Sequence, residues 1–170
     1  VVVAFIAGAV VFKGRETQEA GQAAQSNSDA LVRASSPVFG NPAAKVTIVE
    51  FFDPACETCR AFYPLVKTIV NSSFGQVRLV VRHTPLHQGS DTAVKILEAA
   101  RLQGQYWPAV ERALAGQPQW APHGNARPEL IWDRITDLGL DMAKARADAD
   151  SPAVAQLLAQ DTAGMKASKV

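Results

Sequence analysis

A chain of 170 residues, 48% apolar and 19% charged, can hold one domain with its own core plus an extension. A formal net charge of +1 and the lack of any run of like charges give no ground for nucleic acid as a partner. The two cysteines, Cys56 and Cys59, are too close in sequence to staple distant parts of the chain, which excludes a disulfide-framework fold and leaves stability to packing.

Val1 to Phe12, VVVAFIAGAVVF, is uninterrupted apolar sequence closed by Lys13-Gly14-Arg15. It is shorter than the roughly 20 residues a bilayer span needs. Since the sequence does not open with Met, residues 1–12 are expected to be the remnant of a longer membrane anchor or signal segment. Lys13 and Arg15 lie on its downstream flank, where the positive-inside rule expects cytoplasm, and this runs against an envelope location for the remainder of the chain. Residues 13–36, rich in Ala, Gln, Ser and Asn, are expected to form a tether. Pro37-Val38-Phe39-Gly40-Asn41-Pro42 then punctuates the entry to a domain over 37–170.

Val46 to Phe52, VTIVEFF, reads as a strand covered on both faces, being short, nearly all apolar and rich in β-branched and aromatic residues. Asp53-Pro54-Ala55 breaks it. From Cys56 to about Val70 the pattern is helical, with Phe62, Leu65, Val66 and Ile69 at helical spacing and a kink expected at Pro64. Cys56-Glu57-Thr58-Cys59 would form the first turn, where free N–H groups and the positive end of the helix dipole favour a thiolate at Cys56. Cys59 would lie one turn on along the same face, close enough to close a small disulfide ring. A strand running into a CxxC at a helix start is a redox site on physical grounds.

Val77 to Arg82 reads as a second strand, and a strand–helix–strand connection of this length implies a parallel pair with a right-handed crossover. Helices are expected from Ser90 or Asp91 to about Gln103, from Trp107 to Leu114, and from Glu129 to Leu138 after Pro128, with Gly139 as a stop. Asp141 and Ser151-Pro152 open two more, and Gln117 to Arg127 is expected to be a loop. Trp107, Trp120, Trp132 and Tyr106 are expected to pack this helical part.

The residues Val49 to Pro64, VEFFDPACETCRAFYP, followed by Val80 to Leu86, VVRHTPL, resemble the active-site region of the DsbA-like, thioredoxin-fold thiol:disulfide oxidoreductases of bacterial cell envelopes. The resemblance covers roughly Pro37 to Val170. It implies an α/β fold, thioredoxin-like, with a helical subdomain inserted at about 90–165, and with the cis-proline loop, final β-hairpin and last helix of the family absent before Val170. It further implies dithiol/disulfide exchange on cysteine-containing protein substrates in the periplasm, with a tether to the inner membrane. A redox partner would reset the pair, and no cofactor is needed because the cysteines carry the two electrons.

Within that site Cys56 is expected to be the nucleophile and Cys59 the buried resolving thiol of higher pKa. Glu50, buried with a raised pKa, would accept the Cys59 proton. Glu57 and Thr58 tune the couple. DsbA-like enzymes place a histidine beside the nucleophile, whereas a carboxylate at Glu57 disfavours a neighbouring thiolate, so a weaker oxidant than DsbA is expected. Asp53 reads as a turn residue, Arg60 as a surface charge, and His83 and His87 as loop or core residues. The alternative is a copper(I)- or zinc-binding module on Cys56 and Cys59. Together with His83 and His87 they spell C-x2-C and H-x3-H, although the interval is long and Pro85 opposes the helix that would align the imidazoles.

Overall fold

A computed structural model describes residues 31–123 and 125–167. The chain divides into two compact units, Val1–Ala34 and Ser35–Val170, and the sheet and its covering helices belong to the second. The anchor expected at residues 1–12 and most of the tether over 13–36 lie outside the described residues. Among the described residues no helix is long and apolar enough to cross a membrane.

Three strands form one sheet among the described residues: β1 (Val38–Gly40), β2 (Val46–Phe52) and β3 (Val77–His83), in the order β1-β3-β2. β1 runs antiparallel to β3, with Val38 opposite Val80. β2 runs parallel to β3, from Val46 opposite Val77 to Phe52 opposite His83. Paired residues share a face, so Ile48, Glu50 and Phe52 lie with Leu79, Val81 and His83, while Thr47 and Phe51 lie with Arg78 and Arg82. The central strand is β3, buried from Leu79 to His83. β2 has the expected bounds but not the expected burial: only Phe52 is buried, because β2 pairs on one side and the two-sided cover falls to β3. β1 is a strand the Pro- and Gly-punctuated sequence did not announce.

Helix α1 (Glu57–Ser72) forms the crossover between β2 and β3 and runs on through Pro64. Its inward stripe is Cys59, Tyr63, Val66 and Val70, whereas Phe62, Leu65 and Ile69 are exposed at 55%, 53% and 42%. Both stripes obey helical spacing and lie side by side on the helix, so periodicity alone could not say which one turns inward.

The helical region consists of α2 (Ser90–Arg101), α3 (Tyr106–Trp120), α4 (Leu130–Arg134), a 3-10 turn (Thr136–Leu138), α5 (Met142–Ala149) and α6 (Pro152–Ala167). α3 outruns its expected end at Leu114. Pro118 removes one hydrogen bond close to the helix end, and against this Trp120 is fully buried with its Nε1 donating to the Ala113 carbonyl at 2.7 Å. The helix expected over Glu129 to Leu138 is split at Ile135, and Gly139 stops it in the left-handed region at φ +74°. Asp141 caps α5 by accepting from the Lys144 N–H. α6 is clamped to the sheet by a buried ion pair, Arg82 Nε to Asp161 Oδ1 at 2.6 Å, and the other Asp161 oxygen accepts the His83 N–H at 2.9 Å.

Candidate active site

Cys56 is the N-cap of α1, and its sulfur accepts the Cys59 N–H at 3.5 Å. A sulfur at that place faces the unpaired amides of the first turn, the environment that suits a sulfur anion. Both cysteines are free, half-buried thiols. Burial pushes the Cys59 thiol up to about 12, and the neighbouring Cys56 sulfur and the Glu50 carboxyl add to the rise while the Asp53 main chain opposes it. The pair is therefore asymmetric, with Cys59 retained as a thiol and the Glu50 carboxyl group near it.

Glu50 lies on the β2 face that also carries Ile48 and Phe52. Burial raises its pKa, and its Oε2 is buried without a hydrogen-bond partner. Desolvation likewise raises the Tyr63 hydroxyl, reinforced by Glu111 and Glu50. Cys59, Glu50 and Tyr63 thus form one low-dielectric neighbourhood between β2 and α1.

Asp53 does more than turn the chain. Its buried carboxylate accepts from the Ala55 N–H (2.9 Å) and the Ser90 hydroxyl (2.5 Å) on one oxygen, and from the Leu86 N–H (2.8 Å), the His87 N–H (3.0 Å) and the His87 ring Nδ1 (2.7 Å) on the other. Burial pushes this carboxyl upward, but those hydrogen bonds outweigh it and hold the group below the usual carboxylate range. One residue thereby fastens the CxxC loop to the loop between β3 and α2. Ser90, expected as a helix cap, spends its hydroxyl on Asp53, and Gly89 takes the cap position in the left-handed region at φ +76°.

Gln117 is a second tie. It is fully buried on α3, and its Nε2 donates to the carbonyls of Pro54 (2.8 Å) and Cys56 (3.0 Å) while its Oε1 accepts from Arg60 Nε (2.8 Å). Arg60 is accordingly part of the loop's support. Sequence offered a weak sign of Asp53, a lone acid directly after a strand. It offered none of Gln117, which meets the Cys56 carbonyl across 61 positions.

A cavity of about 160 Å³ opens beside the first cysteine, lined among others by Cys56, Glu57, Thr58, His87, Pro122 and His123. Glu57 and Thr58 are exposed in the first turn of α1, and Glu57 faces His123 at 3.5 Å. His83, in contrast, is fully buried, with Nε2 at 3.1 Å from Glu98 and 3.4 Å from the Tyr106 hydroxyl. Burial pushes Glu98 up, but His83 and Arg101 outweigh it and hold the carboxyl below its usual value. The four residues of the metal alternative are therefore not assembled: His83 belongs to the Glu98 cluster, His87 to Asp53, and among the described residues no three metal-ligating side chains converge. The tryptophans pack as expected: Trp120 and Trp132 are buried, and Trp107 donates to the Val38 carbonyl at 3.0 Å.

The sequence model of the family described as Thioredoxin matches residues 33–170. A thioredoxin-like oxidoreductase from Silicibacter pomeroyi DSS-3 superposes with a TM-score of 0.70 at 33% identity, covering 82% of this chain and 78% of that one. The thiol-disulfide exchange protein α-DsbA2 from Wolbachia pipientis shares the fold at a TM-score of 0.71 and 22% identity, covering 84% of this chain and 75% of that one. Among curated proteins, a Na(+)/H(+) antiporter NhaA from Herminiimonas arsenicoxydans is 36% identical over 126 residues, which are 74% of this chain but 19% of that protein. The chain thus spans about a fifth of the length of the curated relatives it matches. Since the family match takes in the whole sheet, the CxxC helix and the helices after it, the chain belongs to the thioredoxin family.

Proposed function

We propose that Cys56 and Cys59 exchange disulfides with cysteine-containing protein substrates. The observation that carries this is the asymmetry of the pair. Cys56 caps a helix beside an open cavity, and Cys59 lies behind it with its thiol pushed up to about 12 near the Glu50 carboxyl.

In the reducing direction the Cys56 thiolate attacks a substrate disulfide. A Cys56–substrate S–S bond forms, the substrate's own S–S bond breaks, and the departing sulfur takes a proton. Cys59 then passes its proton to Glu50 and attacks the Cys56 sulfur, which closes the Cys56–Cys59 disulfide and expels the second substrate sulfur as a thiolate that takes a proton from water. Two electrons have moved from the pair to the substrate. The oxidising direction is the reverse. No cofactor takes part, and a second thiol–disulfide protein is needed to reset the pair.

The resemblance to cell-envelope enzymes supports a periplasmic setting, in which residues 1–12 would be the remnant of a membrane anchor or signal segment and residues 13–36 a tether. Ion transport, the activity in the curated relatives' names, belongs in our reading to the four-fifths of those proteins outside the match, and we assign it to no residue here. With Glu57 and Thr58 between the cysteines, we expect a weaker oxidant than DsbA.

Equilibrating the metal-free chain against reduced and oxidised glutathione, with thiol trapping, tests the reading. A single two-electron transition that vanishes in Cys56→Ser and in Cys59→Ser is expected. A pair that never closes, in a reduced protein that retains stoichiometric zinc or copper(I), would overturn it in favour of metal binding.

A further inference from the structure

His87 stands in the loop between β3 and α2 and lines the same cavity as Cys56. Its ring is not free to turn. Nδ1 lies 2.7 Å from Asp53 Oδ2, and that oxygen is itself fixed by the Leu86 and His87 amides, while the other carboxylate oxygen is held by Ala55 and Ser90. The Asp53 side chain is 3% exposed and the His87 side chain 47% exposed, so a buried anion holds one edge of a ring whose other edge is open. Neutral imidazole donating from Nδ1 to Asp53 leaves Nε2 as a bare acceptor, and protonated imidazole would be paired with a fixed negative charge. This is the arrangement by which a carboxylate orients an imidazole, here on a ring that lines the same cavity as Cys56.

We propose that His87 is a further catalytic residue of the exchange reaction, accepting at Nε2 the proton of a substrate thiol that enters the Cys56 cavity. The proposal rests on Cys56 and Cys59 being the exchange pair. In the oxidising direction the substrate S–H bond breaks and its proton passes to Nε2. The substrate sulfur uses the freed electron pair to bond Cys56, the Cys56–Cys59 bond breaks with its pair on Cys59, and Cys59 takes up a proton from Glu50. The second substrate cysteine then gives its proton to water and attacks the substrate sulfur of the mixed disulfide, so that the substrate disulfide forms and Cys56 leaves with the electron pair as a thiolate. The substrate dithiol has lost two electrons and two protons; the proton held by His87 passes to water, and Glu50 regains a proton from water. Run backwards, the imidazolium protonates the departing substrate sulfur. The other charged or titratable groups that face the ring are Asp53 behind it and Cys56, Glu57 and His123 around the cavity. Glu57 and His123 are paired with each other at 3.5 Å, which leaves His87 as the oriented base.

The full 170-residue chain carrying His87→Asn or His87→Ala tests this against a reduced dithiol peptide, with the second-order oxidation rate followed across pH. Expected are a fall of about 100-fold near neutral pH, loss of the imidazole limb of the pH profile, partial recovery of His87→Ala by added imidazole, and an unchanged midpoint against glutathione. A wild-type chain that shows no reversible two-electron transition fails the underlying exchange reading. A wild-type chain that exchanges, with His87 variants of equal rate and equal pH profile, overturns the role of His87 alone. A rate loss accompanied by an equal shift in the midpoint, or in the ultraviolet titration of the Cys56 thiolate, also overturns it, since His87 would then act on the pair and not on the substrate. A lowered melting temperature in either variant leaves the imidazole recovery to decide.

Discussion

Two carboxyls three residues apart, half-buried Glu50 near the end of β2 and buried Asp53 just after it, are pushed in opposite directions, and the difference is a matter of hydrogen bonds. Asp53 meets five donor contacts and is held low; Glu50 has a partnerless Oε2 and is raised by burial. The sign for Glu50 comes from linkage. With its folded pKa above the unfolded one, its protonated form is what the fold favours, so its contribution is complete below the ordinary carboxylate value and is lost as pH rises through the folded pKa. Glu50→Gln should therefore flatten the decline in unfolding free energy above that range, measured by denaturant titration at a series of pH values. Glu50→Leu, which removes the buried acceptor altogether, should stabilise the chain at neutral pH by about 1–3 kcal/mol. If Glu50 accepts the Cys59 proton as proposed, both should slow release of the mixed disulfide; an equal release rate would remove Glu50 from the mechanism. Asp53 has the reverse sign, its contribution being lost as pH falls through its lowered pKa. The placement of Cys56 and Cys59 at a helix start, with Glu50 on the strand before it, was legible because it depends on position along one strand and one helix turn. The hydrogen bonds of Asp53, His87 and Gln117 were not, because they exist only once separate loops and a distant helix meet.

At the level of elements, the helices and strands legible in the sequence were those with a single apolar stripe or a clear punctuation mark. Val46–Phe52 was found to the residue, and Asp141 and Gly139 marked their boundaries correctly. α1 had two adjacent apolar stripes, and the choice of Tyr63 and Val70 over Phe62 and Ile69 is made by the sheet beneath. α3 passed through Pro118 because burial of Trp120 outweighs one lost bond near the helix end. The attachment of α6 was equally invisible, since it depends on Arg82 in β3 meeting Asp161 across 79 positions. That contact carries a clear expectation. Asp161→Ala leaves the Arg82 guanidinium without that carboxylate in a buried site and should cost about 3–5 kcal/mol, read as a lower midpoint in chemical denaturation. Amide exchange should rise most in α6 and the end of β3. A loss below about 1 kcal/mol would mean that water or other side chains replace the carboxylate.

For the whole molecule, the redox couple and the stability of the fold are two sides of one cycle. If Cys56 and Cys59 form the proposed redox pair, the difference between the unfolding free energies of reduced and oxidised chains measures how much the fold favours one state of the pair over the same pair in an unfolded chain. Every ~30 mV of potential then corresponds to ~1.4 kcal/mol of differential stability. Glu57 gives this cycle a handle. It is exposed, lies in the first turn of α1 beside Cys56, and faces His123 at 3.5 Å. Replacing its negative charge by an imidazole removes repulsion from the reduced, thiolate-bearing state. Glu57→His should move the glutathione midpoint toward a stronger oxidant, and the reduced chain should gain stability relative to the oxidised chain by the energy equivalent of that shift. Because the side chain points into water, high salt should shrink both effects together. A midpoint that moves while the two stabilities keep their difference would show that Glu57 acts on the unfolded reference state; a midpoint that stays fixed would show that His123 neutralises the carboxylate and that the tuning of the pair lies instead with Asp53 and Gln117, the two ties that hold the loop carrying Cys56.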